Sequence, residues 1–398
     1  MRPLLTIAAV AFLAAVTWWL VQPDVEFDDL GPGVRIVTRP GVDLILVGDA
    51  ADRWRALPSS ATKPRQGYPL PDGLRGWPAI DASGDVRALH ADGVLRFENG
   101  TYVSDIDLPS MGTANGQDDD VGPIEHEALL LVGLDAAEEP VLLWRSGQGP
   151  RLFVRDESGQ HWMLLEDADG PARGPERMSQ VVLSPEARAL AFRGDDGWEV
   201  WEYGSGQAQR FVADGCRGQY GVFTPDGKAL IVDGKVKGLW RLELEDGSLR
   251  FMAEGNLGDH ERIPFSVGFR GMELNGVMAD VMVAPQVDQH GYLQIFQTHV
   301  SGGGRWSFGG GFEHHYAPSV SPDGRFLAYV QAKFEKGAGD ALRENLYLFD
   351  FDTPGDGAIH LGSRAGGRPG QGPAFAGAGD VLVFIAQGHV QRLSIAER

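Results

Sequence analysis

Three consecutive aspartates, Asp118, Asp119 and Asp120, are the residues best suited to binding a cation. Ca²⁺ takes roughly six to eight oxygen ligands, and carboxylates supply many of them. The aspartates lie in an acidic, glycine-containing segment, 109–123, whose spacing differs from that of an EF-hand. Because acidic runs are more often solvated loops than sites, we predict a solvated loop and keep calcium binding as the alternative.

A second group of candidates consists of histidines that precede strand-like segments. His314 and His315 follow Glu313, and His260 precedes Glu261. Imidazole nitrogens can hold a metal ion, and a histidine can act as a general base. The two groups are 54 residues apart, so only the fold could bring them together. Ordinary loop histidines are the simpler interpretation, and a metal site formed by His260, His314 and His315 is the alternative.

Other catalytic arrangements are missing from the sequence. No G-x-S-x-G segment presents a nucleophilic serine. The glycines at 302–304 are not followed by a lysine, so they do not form a phosphate-binding loop. Cys216 is the only cysteine, which excludes an internal disulfide, a cysteine-rich zinc site and a C-x-x-C redox pair. We therefore predict no catalytic and no cofactor-binding residue.

The composition indicates a folded, acidic chain with many turns. Of 398 residues, 55 are glycine without a G-X-Y period, so the excess belongs in turns between short strands. Lysine and arginine number 35 against 55 acidic residues, which gives a net charge of −20. Because a surface of this sign repels phosphate backbones, the charge argues against a nucleic-acid partner.

The amino-terminal segment has the character of a membrane anchor. Residues 4–21 read LLTIAAVAFLAAVTWWLV, 18 residues without a charge, which is about the length needed to cross a bilayer. Arg2 precedes the segment and acidic residues follow it, so its amino end should stay in the cytoplasm. We predict an uncleaved signal-anchor over 1–23 in a bacterial inner membrane, with 24–398 in the periplasm. A cleaved signal peptide, which would release a soluble periplasmic protein, is the alternative.

The remainder repeats a pattern of short strands. Residues 181–211, residues 221–251 and a third copy that begins at 319 align with one another. Each copy has a short strand, a turn in which Ser or Thr precedes Pro, and further strands separated by turns. In the second copy Pro225 fixes φ at the turn, and Gly227 tolerates a positive φ before the next strand begins.

Weaker copies extend the repeat to eight. Their mean interval is about 48 residues, which is close to the period of four-stranded propeller blades. Eight blades are predicted, and seven are the alternative if residues 34–57 and 374–396 share one blade. Because the last copy has three strands at most, a strand from 25–30 or 34–37 is expected to complete it and close the ring. The predicted first strands contain Val37, Ile80, Leu134, Leu183, Phe223, Phe269, Val320 and Phe375.

Two further segments interrupt this rhythm. Residues 298–312 are predicted as a glycine-rich loop that contains Trp306. Residues 331–344 are predicted as an insertion within one blade, compatible with a short helix. Loops of this kind usually carry the function of a propeller.

The Ser/Thr-Pro-Asp-Gly turn followed by Leu-Ala-Phe or Leu-Ala-Tyr resembles the TolB-like, PD40 type of WD40-like β-propeller repeat. The full resemblance rests on 181–211, 221–251 and 319–361, and it extends more weakly over about 30–398. It implies an all-β propeller of four-stranded blades, here one domain over 24–398. It also implies contact with other proteins of the cell envelope, although it supplies no partner residues.

We therefore predict a membrane-tethered periplasmic scaffold or binding module whose partner is an envelope protein or peptide. A glycan is a further candidate partner, because Trp54, Trp77, Trp162 and Trp306 are predicted in or near loops, where aromatic faces can stack on sugars. The alternative function is a glycan-acting or metal-assisted hydrolase with its site at the mouth of the central channel. Such an enzyme needs carboxylates or histidines from several blades to converge there.

Overall fold

Eight four-stranded antiparallel sheets follow one another along the chain and close into a ring. First strands of several neighbouring sheets contact each other, including those of the first and last sheets, so the first strands surround a central channel. Four strands per blade and eight blades confirm the sequence prediction. The computed structural model describes residues 27–98, 101–109, 128–146, 149–167, 170–171, 181–204, 208–234, 238–254, 257, 267–274, 277–288, 290, 292–302, 304–308, 313–334, 342–364, 372–386 and 388–395.

The first half of the ring begins after an amino-terminal strand, β1 (Asp28–Pro32), which belongs to the last blade. Blade 1 contains β2 (Arg35–Thr38), β3 (Leu44–Gly48), β4 (Trp54–Pro58) and β5 (Tyr68–Pro69); blade 2 contains β6 (Ala79–Ile80), β7 (Val86–His90), β8 (Gly93–Glu98) and β9 (Thr101–Ile106); blade 3 contains β10 (Leu129–Leu134), β11 (Pro140–Ser146), β12 (Gly149–Arg155) and β13 (Trp162–Leu164). A two-stranded hairpin of β14 (Glu166–Asp167) and β15 (Gly170–Pro171) precedes blade 4, which contains β16 (Val182–Leu183), β17 (Ala189–Arg193), β18 (Gly197–Glu202) and β19 (Gln209–Asp214).

The second half of the ring completes the circle with four more blades. Blade 5 contains β20 (Gly221–Phe223), β21 (Ala229–Asp233), β22 (Leu239–Glu243) and β23 (Leu249–Ala253); blade 6 contains β24 (Gly268–Leu274), β25 (Val277–Val287), β26 (Leu293–His299) and β27 (Arg305–Phe308); blade 7 contains β28 (His314–Val320), β29 (Phe326–Phe334), β30 (Leu342–Asp350) and β31 (Ile359–Arg364); blade 8 contains β32 (Ala374–Ala376), β33 (Val381–Ala386) and β34 (His389–Ser394), followed by β1 as its fourth strand. Two single-turn 3₁₀ helices, η1 (Pro64–Gln66) and η2 (Pro354–Asp356), lie within blades 1 and 7.

The ring is closed by β1, which pairs with β34 so that the two ends of the chain share blade 8. Asp28 lies opposite Arg392, and the Arg392 guanidinium donates to the Asp28 carboxylate at 2.8 Å. From blade 1, Arg55 donates to the carbonyl oxygen of Leu30 at 2.7 Å. The prediction that an amino-terminal strand completes the last blade is therefore confirmed.

The eight first strands are found where the sequence predicts them, but two segments predicted as irregular contain strands. The segment 298–312 includes β27, because Phe308 packs into the core between blades 6 and 7 despite the flanking glycines. The described part of 331–344, residues 331–334 and 342–344, extends β29 and β30, whose pairing continues as far as Phe334 opposite Leu342. The predicted helical insertion is wrong over the described part of this segment.

Glycines in the turn between the first and second strands let blades 5 and 8 fit against the blades that precede them. Gly227 has φ +65°, and a Cβ there would lie 2.7 Å from Ser184 Oγ of blade 4. A Cβ at Gly379 in blade 8 would lie 2.9 Å from Pro322 Cδ of blade 7. A glycine in this turn thus adopts a positive φ and also leaves room for the neighbouring blade. We name the side of the ring that carries these turns the first-turn face, and the opposite side, which carries the turns between second and third strands, the second-turn face.

Apolar residues of adjacent blades form the cores between them. Between blades 4 and 5, for example, Trp198 and Val200 pack with Leu230 and Leu242. Cys216 is fully buried in the same cluster, as expected for a small filler of the core. Since each such cluster needs two blades, a blade is stabilised by its neighbours rather than alone.

The predicted anchor, residues 1–23, lies outside the described residues. Within the described part of the chain, no helix combines the length and the apolar character that a membrane crossing requires.

Candidate functional site

A cleft of about 230 Å³ opens on the central channel where four blades meet. Its walls come from the first strands and first turns of blades 6, 7, 8 and 1, which the ring closure brings side by side. We name it the channel cleft. Its lining consists of Thr38, Pro40, Val267, Gly268, Pro318, Ser319, Val320, Pro322, Pro373, Ala374 and Phe375.

The channel cleft lies at the end of the channel nearest the first-turn face. Pro40 and Pro322 belong to the first turns of blades 1 and 7. Thr38 and Val320 are the last residues of the strands that precede those turns. The cleft therefore opens toward the face that carries the glycine turns.

The chemistry of the lining is apolar with two hydroxyl groups. Four of its eleven residues are prolines, and none is charged. Proline has no N–H to donate, so it is tolerated on a strand whose edge faces a channel, as at Pro318. Thr38 and Ser319 supply the hydroxyls. Such a surface suits apolar side chains and the backbone of another chain.

A backbone irregularity lies in the wall of the cleft. Tyr316 pairs with Val330 and Ser319 with Ala328, so Ala317 and Pro318 together oppose one residue of β29. Ala317 has φ +51°, a conformation that costs a non-glycine residue about 1–3 kcal/mol. A β-bulge of this kind redirects the side chains that follow it. Here those side chains are lining residues of the cleft.

Close packing between blades 6 and 7 fixes the depth of the same wall. A Cβ at Gly268 would lie 2.4 Å from Val320 Cγ2, so only glycine allows Val320 to approach the blade 6 backbone this closely. The bulge and this contact together give the cleft a fixed shape.

The predicted histidines are placed in the contact between blades 6 and 7 and do not line the cleft. His314 Nδ1 accepts a hydrogen bond from the backbone N–H of Leu293 at 3.2 Å. His315 Nδ1 lies 2.7 Å from Gln294 Oε1, and the Gln294 amide donates to the backbone oxygen of Glu313 at 2.8 Å. Both histidines lie in β28 and are buried, so the interpretation of this pair as loop histidines is wrong. These bonds give the pair a structural role in holding two blades together.

The metal predictions for these residues are untested. His260 and Asp118, Asp119 and Asp120 lie outside the described residues. Within the ranges that the structure describes, no group of three or more His, Cys, Asp or Glu residues could hold a metal ion. Calcium binding at the aspartates and metal binding at the histidines remain predictions.

Burial lowers the pKa of His315 below its ordinary value, with Glu313 opposing and His314 reinforcing the shift. Below a pH of about 6.5 this histidine is protonated in the unfolded chain but stays neutral in the folded chain, so lowering the pH favours unfolding. We expect the melting temperature to fall as the pH drops from 7 through 6, and His315→Gln to flatten that dependence. His161→Gln, at an exposed position, is the control and should melt with the wild-type pH dependence. A wild-type slope in His315→Gln would contradict the prediction.

The sequence directed attention to the histidines and missed the residues that follow them in β28. Pro318, Ser319 and Val320 line the cleft, whereas His314 and His315 do not. The available signal was proline at or near the first strands of three different repeats, as at Pro40, Pro322 and Pro373. Prolines there mark strand edges that no neighbouring strand of the blade occupies.

The tryptophans predicted near loops divide into two groups. Trp54 and Trp162 are buried, and the Trp162 indole donates to the backbone oxygen of Asp107 at 2.7 Å. Trp77 and Trp306 are exposed, at 37% and 41%, and they belong to opposite parts of the ring. A glycan partner remains a prediction.

Solved structures similar to this chain are β-propellers. The WD40 domain of SCAP from fission yeast is 10% identical, with 94% of this chain and 98% of that chain covered and a TM-score of 0.52. TolB from Acinetobacter baumannii is 14% identical, with 82% and 86% covered and a TM-score of 0.36. No protein-family model matches the sequence, and no curated protein matches it.

The chain is thus an eight-bladed β-propeller whose fold is similar to that of a WD40 domain, as the repeat predicts. The similarity at this level of identity concerns the fold alone. Because one fold can host many functions, the function has to be inferred from the channel cleft.

Proposed function

We propose that this protein is a binding module of the bacterial cell envelope that holds a segment of a protein partner in its channel cleft. Residues 1–23 tether it to the inner membrane as a single-pass anchor, and the propeller lies in the periplasm. The channel cleft is the observation that supports binding, because it is a shaped, apolar concavity at the junction of four blades.

The strands around the cleft favour a peptide as its occupant. First strands are terminal in their sheets, so one backbone edge of each faces away from the other strands of its blade, toward the channel. An extended peptide can hydrogen-bond to such an edge while its apolar side chains enter the cleft. The uncharged lining adds no requirement for a charged ligand.

A hydrolase has no supporting observation in this site. The lining of the channel cleft contains no His, Asp, Glu or Cys residue that could act as a general acid, base or metal ligand. The enzymatic alternative of the sequence analysis stays a prediction.

The proposal can be tested by affinity capture of the full-length chain from native membranes in mild detergent, followed by mass spectrometry. We expect one or two stoichiometric envelope proteins with the wild type. Ser319→Trp, which places an indole in the cleft, should lower their recovery at least tenfold. Ser307→Trp, at an exposed position of β27, is the matched control and should retain them.

Two results would contradict the proposal. Equal recovery of the partner with both tryptophan variants would show that the cleft does not bind the partner. Retention of a metal ion or glycan without any protein would favour the enzymatic or glycan-binding alternative. Equal melting temperatures of the two variants would show that a loss of binding is not a loss of folding.

A further inference from the structure

We infer that the first-turn face is turned toward the membrane, and that the channel cleft takes an extended, membrane-proximal segment of an integral membrane protein. The inference rests on the proposed function, since it uses the predicted anchor as the tether. It assigns a working face to the propeller and a chemical class to the partner.

The chain enters the propeller from the first-turn side. β34 begins at the second turn of blade 8 and ends next to Ile395, whose N–H donates to the backbone oxygen of Asp380 in the first turn at 2.7 Å. β1 runs antiparallel to β34, with Asp28 opposite Arg392 and Pro32 opposite His389. Asp28 is therefore the end of β1 nearest the first-turn face, and Pro32 is the end nearest the second-turn face.

The connection between this point and the predicted anchor is short. From Pro23 to Asp28 the chain advances five residues, which span at most about 17 Å when fully extended. Phe27 is already fixed against Phe384, with ring centroids 5.3 Å apart, so the free length is shorter still. An anchor at 1–23 must hold the first-turn edge of blade 8 within roughly this distance of the bilayer.

The mouth of the channel cleft lies on the same side and includes the tethered blade. Pro373, Ala374 and Phe375 of blade 8 form one wall, and Pro40 of the adjoining blade 1 forms another. Blade 8 runs from β1 at its outer edge to β32 at the channel, so the cleft lies three strands, roughly 14 Å, inward from the tether and faces the same space between propeller and membrane.

That space restricts what can reach the cleft. With the first-turn face parallel to the membrane, the tether leaves a gap of about 17 Å, whereas a folded domain of 100 residues has a radius of gyration of about 13 Å and is wider than that gap. An α-helix with its side chains is about 10–12 Å wide, and an extended chain is thinner. The apolar lining and the strand edges favour the extended chain. The space between the propeller and the membrane always contains the segments of integral membrane proteins that adjoin their transmembrane helices.

The orientation can be measured with matched cysteines in the full-length chain. Ala378 is exposed in the first turn of blade 8, and Ala51 is exposed in the second turn of blade 1. Each is changed to cysteine in a Cys216→Ala background, labelled with a donor dye and reconstituted into phosphatidylethanolamine–phosphatidylglycerol vesicles that carry acceptor-labelled headgroups. If Cys216→Ala does not fold, the buried wild-type cysteine can remain, since burial shields it from maleimides.

We expect at least twofold higher energy transfer from Ala378→Cys than from Ala51→Cys. Equal or reversed transfer with vesicle-bound protein would overturn the orientation and leave the proposed binding function standing. Protein that does not associate with vesicles would overturn the anchor, and the inference would fall with it.

The occupant can be identified with a photoreactive benzoylphenylalanine at Ser319, in native membranes, with Ser307 as the control position. We expect a cross-link specific to Ser319 whose peptide adjoins a transmembrane segment of another protein. A peptide from a soluble periplasmic protein, from a remote periplasmic domain or from a second copy of this chain would overturn the inference. So would the lack of a cross-link specific to Ser319.

Discussion

Replacing Arg188 with alanine should lower the free energy of unfolding by about 3–5 kcal/mol, because it leaves a buried carboxylate without its cation. Arg188 Nε lies 3.1 Å from the carboxylate of Asp135, whose side chain is 1% exposed. Arg188 belongs to the first turn of blade 4 and Asp135 to that of blade 3, so this pair joins two blades.

The surroundings of the pair explain the size of the expected effect. Arg188 also donates to the backbone oxygen of Asp156 at 3.0 Å and to that of Arg155. The Tyr203 hydroxyl lies 3.3 Å from the Asp135 carboxylate, and burial, with Asp135 second, raises the pKa of that hydroxyl far above its usual range. Tyr203 therefore stays protonated and donates to Asp135, but a neutral donor cannot replace the lost guanidinium.

Thermal melting of the detergent-solubilised chain, followed by tryptophan fluorescence, would measure the loss. Arg250→Ala removes an exposed arginine from an i,i+4 pair with Asp246 and is the matched control. We expect its melting temperature to equal that of the wild type and that of Arg188→Ala to fall by several degrees. Equal melting of the two variants would contradict a stabilising role for the buried pair.

Arg188 lies in the turn that departs most from the Asp-Gly pattern among the three best repeats. Glu186 and Ala187 replace the Asp-Gly of the other copies, which marks that turn as degraded. The structure gives the next residue, Arg188, a role that no turn rule supplies. Its partner Asp135 is 53 residues away, and only the stacking of blades brings the two together.

Blade number and first strands were predictable because their signals are local. Proline, aspartate and glycine act on the backbone within four residues, and the apolar runs beside them have few alternatives to a strand. β27 was missed because glycines on both sides obscure a four-residue strand whose packing partner, Phe349, belongs to blade 7.

The channel cleft was not predictable because it depends on residues that are far apart in the sequence. Thr38 and Phe375 come from the two ends of the chain and meet only because β1 closes the ring. The sequence predicted that closure but gave no means to deduce which four blades leave a cavity between them. The histidines were conspicuous by type, yet their role is set by Leu293 and Gln294 of the neighbouring blade.

Ring closure makes Leu30 the second position at which a large effect is expected. Leu30 lies in β1 and is fully buried in a cluster that joins blades 8 and 1, with Ile36, Val383 and Ile385 among its members. Leu30→Ala should lower the free energy of unfolding by about 2–5 kcal/mol, because it removes buried methyl groups and leaves a cavity. The loss falls on the one strand that joins the two ends of the chain.

Leu30→Ala should therefore loosen the amino-terminal strand before the rest of the ring. Limited proteolysis, followed by mass spectrometry of the fragments, would show faster cleavage between β1 and β2 than in the wild type, and thermal melting would give the total loss. Ile359→Ala is the matched control, since Ile359 lies on the outer strand of blade 7 and is 42% exposed. Truncating an exposed side chain removes little apolar area from the core, so this variant should melt and be cleaved like the wild type. Unchanged cleavage next to β1 in Leu30→Ala, together with a lowered melting temperature, would mean that the ring unfolds as one unit and that closure is not its weakest point.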